Sequence, residues 1–239
     1  QIYSYRFMKY SEFERILSSK RIGRYLDSVG GDTKKAMTLY RCNLRLSQEL
    51  FTVVSCFEVA LRNGIDNLLV PKFGNDWLRD SVMPNGIFMA RSMEKTRRII
   101  SEAYQRLHTK GVYSHSKLLA EMEFGVWKYM FSAPQYKATG QLLLKVFPNK
   151  PVSSKEFQYN NTYIFNELDK VNSLRNRIAH HEPVCFKLHK PIVDISYALN
   201  EYQKIQTLFS WMGIDSRSML YGLDHVLKVC RDILSLTKH

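Results

Sequence analysis

The chain has 239 residues, of which 45% are hydrophobic and 24% are charged, so a wholly disordered protein is excluded. Lysine and arginine outnumber aspartate and glutamate by 35 to 22, and the resulting net charge of +13 favours a polyanionic partner, nucleic acid before an anionic membrane surface. No apolar run approaches the roughly 20 residues that cross a bilayer, so no transmembrane helix is predicted.

The four cysteines indicate the expected compartment. Cys42, Cys56, Cys185 and Cys230 lie far apart and form no C-x-x-C pair, and no signal peptide is recognised before them. Scattered, unpaired cysteines are typical of proteins in a reducing environment. The expected location is therefore the cytoplasm, without membrane association.

The first third of the chain is expected to be helical. Ser11 and Glu14 have the spacing of a capping box, which predicts a helix from Ser11 to about residue 20. Glycines at 30 and 31 interrupt the chain, and from Asp32 to about Val70 apolar residues recur at helical spacing without proline. This segment predicts one long helix or two stacked helices. Its apolar stripe consists of Val54, Phe57, Leu61, Ile65 and Leu68.

The rest of the chain predicts further helices, separated by connections that contain proline and glycine. After a loop over 71–86, Ser92 is expected to cap a basic helix that ends near Gly111, and another helix is expected over 116–131. The remaining predictions are a mostly irregular connection over 132–154 with one short helix at about 141–146, and helices over 161–181, 195–212 and 216–236.

The pattern predicts an all-α fold, because neither an alternating strand pattern nor an internal repeat is present. The length suits a single domain over 1–239. Within it we expect an N-terminal helical part over about 1–90 and a motif-bearing helical bundle over about 91–239.

An arginine lies within the apolar face of the helix predicted from residue 161. The face consists of Ile164, Leu168, Val171 and Ile178. Steps of about 100° per residue place Arg175 in the same stripe. Because burying a guanidinium without a partner is costly, it must meet a carboxylate, line a cleft or bind an anion. Two interpretations stay open, a structural ion pair with Glu58 as one candidate partner and a functional anion site.

His180 lies five residues beyond Arg175, about 140° round the helix, whereas Asn176 lies one turn before His180 on its side. The side chains of Arg175 and His180 can converge in three ways. The helix end distorts near Pro183, the arginine side chain curls round, or a second copy of the helix supplies the opposing group. The third way favours a two-fold homodimer in which one motif from each chain lines a shared cleft.

The segment LRNRIAHHEPV at 174–184 resembles the R-x4-H signature of HEPN ribonucleases in the form carried by Abi-like (abortive infection) proteins. Similar segments outside the motif follow in the expected order and cover most of the chain. They are SSKRIGRYL at 18–26, GDTKKAMTLY at 31–40, the E-x-x-x-R-N of Glu58, Arg62 and Asn63, Trp77, and FGVWKYMF at 124–131. The resemblance implies an all-α, HEPN-like helical bundle with additional helices.

The same resemblance implies a metal-independent endoribonuclease in which Arg175 and His180 are the catalytic pair. Cleavage of RNA without a metal requires deprotonation of the 2′-hydroxyl, stabilisation of the phosphate charge and protonation of the leaving 5′-oxygen. Histidine suits the proton transfers and arginine suits the phosphate, and Asn176 is expected to orient His180 or the phosphate. Neither a metal nor another cofactor is expected. One cluster of possible metal ligands occurs near the motif, but its spacing matches no familiar zinc pattern. That grouping is His180, His181, Cys185 and His189.

Four more residues are expected to support the site. Glu58 and Arg62 lie one helical turn apart, and either form an intrahelical salt bridge or let Glu58 hold Arg175 or Arg62 in position. His181 and Glu182 are either supporting residues or the polar end of the helix. Glu182 stands where some HEPN toxins carry a tyrosine that accepts a nucleotide from a partner antitoxin, so that regulation is not expected here.

The resemblance further implies defence against phage, by a toxin that damages the RNA of the infected cell until growth stops. A ribonuclease in the cytosol requires restraint, so we expect an inhibitory partner, either a small structured RNA or a protein. The alternative is a non-catalytic RNA-binding module, in which the basic surface grips a structured regulatory RNA and Arg175 is only architectural.

Overall fold

The computed structural model describes residues 8–188 and 190–237. Helices dominate this part of the chain, which contains no β-strand and a single antiparallel β-bridge, between Phe186 and Val193, so the all-α prediction is confirmed. The α-helices are α1 (Tyr10–Leu17), α2 (Ser19–Ser28), α3 (Thr33–Phe73), α4 (Trp77–Asp80), α5 (Glu94–Thr109), α6 (His115–Glu121), α7 (Phe124–Tyr129), α8 (Ala133–Ala138), α9 (Asn161–Ala179), α10 (Ser196–Trp211), α11 (Ser216–Met219) and α12 (Val226–Thr237). None of these described helices combines the length and the apolar character that a membrane span requires.

The segment for which the sequence left two possibilities is one continuous helix, α3, of 41 residues. Asp32 caps its start, since the Asp32 carboxylate accepts hydrogen bonds from the backbone N–H groups of Lys34 and Lys35 at 2.9 and 3.0 Å. The predicted stripe is buried except at Leu68, which is half-buried while its neighbour Leu69 is fully buried. Because a helix has about 3.6 residues per turn, the buried face moves by one position over this length.

The start of the chain differs from the prediction. α1 begins at Tyr10, and the carboxylate of Glu12 accepts the backbone N–H of Lys9 at 3.0 Å. The predicted capping box of Ser11 and Glu14 is therefore wrong by two residues. The residue types of a capping box fit Ser11 and Glu14 but not Lys9, so the pattern placed the helix start too late. Only the Glu12 half of a capping box, its bond to the backbone N–H of Lys9, is formed.

α2 was not predicted as a separate helix. Ser18 has a φ of 72°, which separates α1 from α2, and its hydroxyl accepts the backbone N–H of Arg21 at 3.4 Å. α2 then ends before Gly30 and Gly31, whose φ values of 64° and 86° form the predicted interruption. A single residue with positive φ leaves no trace in side-chain periodicity, so the sequence pattern did not reveal the break.

Two predicted features of the central region are corrected. The helix expected over 116–131 is divided into α6 and α7, because Met122 and Glu123 adopt extended backbone conformations with ψ of 127° and 160°. Ser92 does not cap α5. It lies in a short 3-10 helix, Arg91–Met93, and Met93 precedes the first residue of α5 without a side-chain cap.

The connection expected over 132–154 holds more helix than predicted. α8 was missed because of Pro134, which stands in the first turn, where proline removes no intrahelical hydrogen bond. The short helix expected at 141–146 is a 3-10 helix, Leu143–Val146. The helix expected over 216–236 is divided into α11 and α12, whereas α9 and α10 lie within two residues of their predicted bounds.

The described residues belong to two compact units whose segments alternate along the chain. Unit 1 consists of Gln1–Val53, Asn176–Gln203 and Leu220–His239, and unit 2 consists of Val54–Arg175 and Lys204–Met219. The chain passes from one unit to the other within α3, α9 and α10. The single domain expected from the sequence stays a prediction.

The core of unit 2 contains several of the segments that carry the family resemblance. The ring of Phe57 packs edge-on against that of Phe209, with centroids 5.2 Å apart. The buried Trp77 donates from its Nε1 to Asp66 at 2.7 Å, and His115 Nε2 lies 2.8 Å from the same carboxylate oxygen. Most residues of the segment at 124–131 are also buried. These parts of the resemblance therefore describe packing in unit 2.

A buried asparagine anchors the segment that follows α9 in unit 1. Asn43 of α3 is 4% exposed, and its Oδ1 accepts the backbone N–H groups of Val184 and Cys185 at 2.9 and 3.3 Å. Val184 and Cys185 are themselves fully buried. The two N–H groups have no access to water, so the asparagine replaces the acceptor that water would supply.

Asn43→Ala should lower the free energy of unfolding by about 2–4 kcal/mol, because each buried backbone donor left without an acceptor costs about 1–3 kcal/mol. Gln48→Ala, at an exposed position of the same helix, is the matched control and should change stability little. Chemical denaturation measures both variants. Equal effects from the two substitutions would show that Asn43 does not hold the segment.

Candidate functional site

α9 ends in a Schellman motif that contains both histidines of the sequence motif. The backbone N–H of His181 donates to the carbonyl of Ile178 at 3.0 Å, and the N–H of Glu182 donates to that of Arg177 at 2.9 Å. His181 has a φ of 56°, in the left-handed region that glycine usually occupies at this position. His180 and His181 are both exposed, so they are displayed from a defined turn at the end of the helix.

Arg177 holds this turn in place, a role that the sequence analysis missed. Its guanidinium donates two hydrogen bonds to the carbonyl oxygen of Pro183, at 3.1 Å from Nε and 2.6 Å from Nη2, and lies over the ring of Tyr197 at 4.8 Å. The side chain of Arg177 is 13% exposed, and Glu182 lies 3.8 Å from it with a 59% exposed side chain. The sequence signal was a second arginine inside the motif, one helical turn and a half before a proline.

Arg175 lies half-buried on α9 within unit 2, where it shares its surroundings with Glu58 and Arg62. Burial raises the pKa of Glu58 above its ordinary value of 4.5, and Glu123 raises it further. The charges of Arg175 and Arg62 and a hydrogen bond from the backbone of Phe124 act in the opposite direction. Arg175 is therefore within electrostatic range of a carboxylate, which is one of the three environments that the sequence analysis allowed.

The predicted site residues fall into two groups. Unit 2 brings together Glu58, Arg62 and Arg175, and unit 1 holds Asn176, His180, His181 and Glu182. In unit 1, the exposed Asn176 accepts the backbone N–H of His180 at 2.9 Å through its carbonyl oxygen, as part of the helix. The convergence of the Arg175 and His180 side chains stays a prediction.

Cys185, in the segment that follows the turn, is not a reactive thiol. It is fully buried, and burial raises the pKa of its thiol to about 12, so it is protonated at neutral pH.

No group of three histidine, cysteine, aspartate or glutamate side chains in the described part of the chain is arranged to hold a metal ion. His189, which the sequence analysis considered with this group, lies outside the described residues.

These observations define an all-α protein whose motif helix ends in a fixed turn with two exposed histidines. The chain matches the family model described as Abi-like protein over residues 1–185, a range that includes every residue of the predicted site. It belongs to the Abi-like family, and this membership associates it with abortive infection. No curated protein and no solved structure matches the chain.

His181→Gly should keep or slightly raise the stability, because a non-glycine residue in the left-handed region costs about 1–2 kcal/mol that glycine avoids. His181→Val should lower the stability, since a β-branched side chain is strongly disfavoured at this φ. Thermal unfolding compares them. His180→Gly, one residue earlier, is the matched control and should give no gain, and a gain at both positions would contradict a specific effect of the φ of His181.

Glu58→Gln should stabilise the protein at neutral pH. Because folding raises the pKa of Glu58, the associated stability is fully present below its ordinary pKa and is lost as the pH rises through the raised value. The uncharged variant avoids this loss, by less than about 1 kcal/mol because the side chain is partly exposed. Urea denaturation at about pH 4 and about pH 7 should show the gain only at the higher pH.

The control for this pH dependence is Glu102→Gln, which removes an exposed carboxylate of α5 in the same unit. It should give no gain at neutral pH. A loss of stability in Glu58→Gln at neutral pH would mean that attraction between Glu58 and the two arginines outweighs the cost of burial.

Proposed function

We propose that this Abi-like protein is a metal-independent endoribonuclease of the HEPN type, with Arg175 and His180 as catalytic residues, acting in anti-phage abortive infection. The observation that carries the proposal is the turn after α9, which keeps His180 exposed beside a helix end fixed by Arg177. Family membership and the net charge of +13 support an RNA substrate.

The reaction divides into steps that suit these side chains. The neutral imidazole of His180 accepts the proton of the 2′-hydroxyl, whose oxygen forms a bond with phosphorus while the bond from phosphorus to the 5′-oxygen breaks. Arg175 stabilises the phosphate charge through its forked donors. The 5′-oxygen receives a proton from an imidazolium, and the products are a 2′,3′-cyclic phosphate and a 5′-hydroxyl. RNA supplies its own nucleophile, so DNA should resist.

The two proton transfers favour a homodimer. In an in-line displacement the attacking and leaving oxygens lie on opposite sides of phosphorus, and one exposed imidazole is poorly placed to serve both. A two-fold pair of chains presents a second copy of the turn, which supplies the opposing imidazole. The chain should accordingly form dimers in solution at micromolar concentration, and a strictly monomeric mass would remove the shared cleft from the proposal.

In this proposal the other predicted site residues position the two catalytic side chains and the turn. Glu58 and Arg62 orient Arg175, in accord with their mutual electrostatic influence in unit 2. Asn176 orients His180 or the phosphate, and His181 and Glu182 shape the turn. We further propose that an inhibitory partner, a small structured RNA or a protein, restrains the enzyme in the cytoplasm until infection.

The proposal predicts that the purified protein cuts RNA in the presence of EDTA and leaves ends with cyclic phosphate. Arg175→Ala and His180→Ala should each lower the cleavage rate by at least about 100-fold, the scale of a lost phosphate ligand or general acid or base. A substrate with a single 2′-deoxynucleotide at the cut position should resist there.

Matched controls separate catalysis from general loss of charge. Arg98→Ala and His108→Ala remove exposed residues of the same types from α5 and should cut like the parent. If Arg175→Ala and His180→Ala also cut like the parent, the catalytic assignment is wrong. If the parent retains RNA without cutting it, the chain is the alternative, a non-catalytic RNA-binding module.

A further inference from the structure

Unit 1 contains a cavity of about 420 Å³ beside the turn that follows α9. His181 and Pro183 of the turn border it, α2 contributes Lys20 and Arg21, and α3 contributes Asn43. No carboxylate is among the described residues that line it. The volume lies in the range that small-molecule ligands occupy and exceeds what a single phosphate needs.

The N-terminal end of α2 borders this cavity. Ser18 precedes the helix and lines the cavity together with Lys20 and Arg21. The Ser18 hydroxyl accepts a hydrogen bond from the backbone N–H of Arg21 at 3.4 Å. The backbone N–H groups of Ser19 and Lys20 have no acceptor among the described residues. Free N–H groups and the positive end of the helix dipole both attract an anion.

Asn43 supplies an independent sign of a ligand. Its Oδ1 is fixed as an acceptor by the backbone N–H groups of Val184 and Cys185, so the amide orientation is determined. Its Nδ2 then remains a donor, and it has no partner in the described part of the chain although the residue is 4% exposed. This donor on the cavity wall keeps some solvent exposure, and it can donate to a phosphate or base oxygen of a ligand.

Not every cation around the cavity is available to a ligand. Arg24 donates to the carbonyl oxygens of Lys187 and Lys190, at 2.7 to 3.2 Å, and lies 4.6 Å from the centre of the Phe186 ring. Lys20 and Arg21, by contrast, are exposed and pair with no carboxylate among the described residues. They are therefore the two cations that a ligand can use.

Other residues of the lining are less polar. Tyr25 and Tyr40 contact each other edge to face, with ring centroids 5.2 Å apart, and Leu44 and Pro183 add apolar surface. A cationic end and an apolar wall in one cavity match the phosphate and the base of a nucleotide.

We propose that this cavity binds one nucleotide of single-stranded RNA, next to the linkage that is cut. Its phosphate meets Lys20, Arg21, the start of α2 and Asn43 Nδ2, and its base packs against Tyr40, Leu44 and Pro183. The inference rests on the proposed function, because His181 borders the cavity and directly follows His180 in the turn.

Binding is measured separately from cleavage, by fluorescence anisotropy with a labelled 2′-O-methyl RNA that cannot be cut. Lys20→Ala/Arg21→Ala should weaken binding by about tenfold or more, and the dependence of affinity on salt should become shallower. Lys34→Ala/Lys35→Ala removes the same charge from neighbouring positions of α3 in unit 1 and should weaken binding much less.

A second variant tests the cavity without changing charge. Leu44→Trp fills it with a larger side chain at a position that is 47% exposed, and it should weaken binding while leaving the unfolding temperature nearly unchanged. Leu227→Trp, at a 50% exposed position of α12, is its control and should bind like the parent.

The outcomes separate the two proposals. Equal weakening of RNA binding in Lys20→Ala/Arg21→Ala and Lys34→Ala/Lys35→Ala overturns the nucleotide cavity, and so does normal binding by Leu44→Trp. Either result does so even if Arg175 and His180 are needed for cleavage. The opposite outcome is also possible. If Lys20→Ala/Arg21→Ala and Leu44→Trp bind RNA more weakly than their controls while the parent protein cuts no RNA, the cavity is supported and the ribonuclease proposal is removed.

Discussion

The two hydrogen bonds from Arg177 to the carbonyl oxygen of Pro183 determine the path of the chain beyond α9. Proline cannot continue the helix, and the left-handed conformation of His181 turns the chain back until that carbonyl comes within reach of the guanidinium. A positive charge in the last turn of a helix is also favoured by the helix dipole. This clamp adds to the two backbone hydrogen bonds of the Schellman motif, and together they hold His180 and His181 at a defined helix end.

Several cations of this protein show why total charge is a poor guide to a binding surface. Arg24, Arg177 and Lys128 count toward the net charge of +13, but each is committed to an internal contact, Lys128 through Asp169 at 2.7 Å. Lys20 and Arg21 lie in the same region as Arg24 and are exposed. Affinity for a polyanion depends on exposed cations without internal partners, because a guanidinium already bonded to carbonyl oxygens has few donors left.

The long helices were predictable and the breaks between short ones were not. α3 and α9 carry apolar residues at helical spacing over many turns, so their existence follows from the burial of one face. The breaks at Ser18 and at Met122 depend on the φ and ψ of one or two residues, and both residue types are compatible with a helix. Local backbone conformation of this kind is set by packing on either side of the break.

The amino-acid sequence by itself determined the all-α class, the helix that carries the motif, the position of Arg175 within its apolar stripe and the likeness to Abi-like proteins. Each of these follows from helical spacing or from short segments that are recognisable one by one. Only the tertiary structure decided that Arg177 clamps the turn, that His181 is left-handed, and that Asn43 and the start of α2 enclose a cavity. Asn43 and Val184 are 141 residues apart, and a contact over that separation leaves no periodic or compositional signal. It arises because buried backbone N–H groups must find an acceptor wherever the folded chain brings one near.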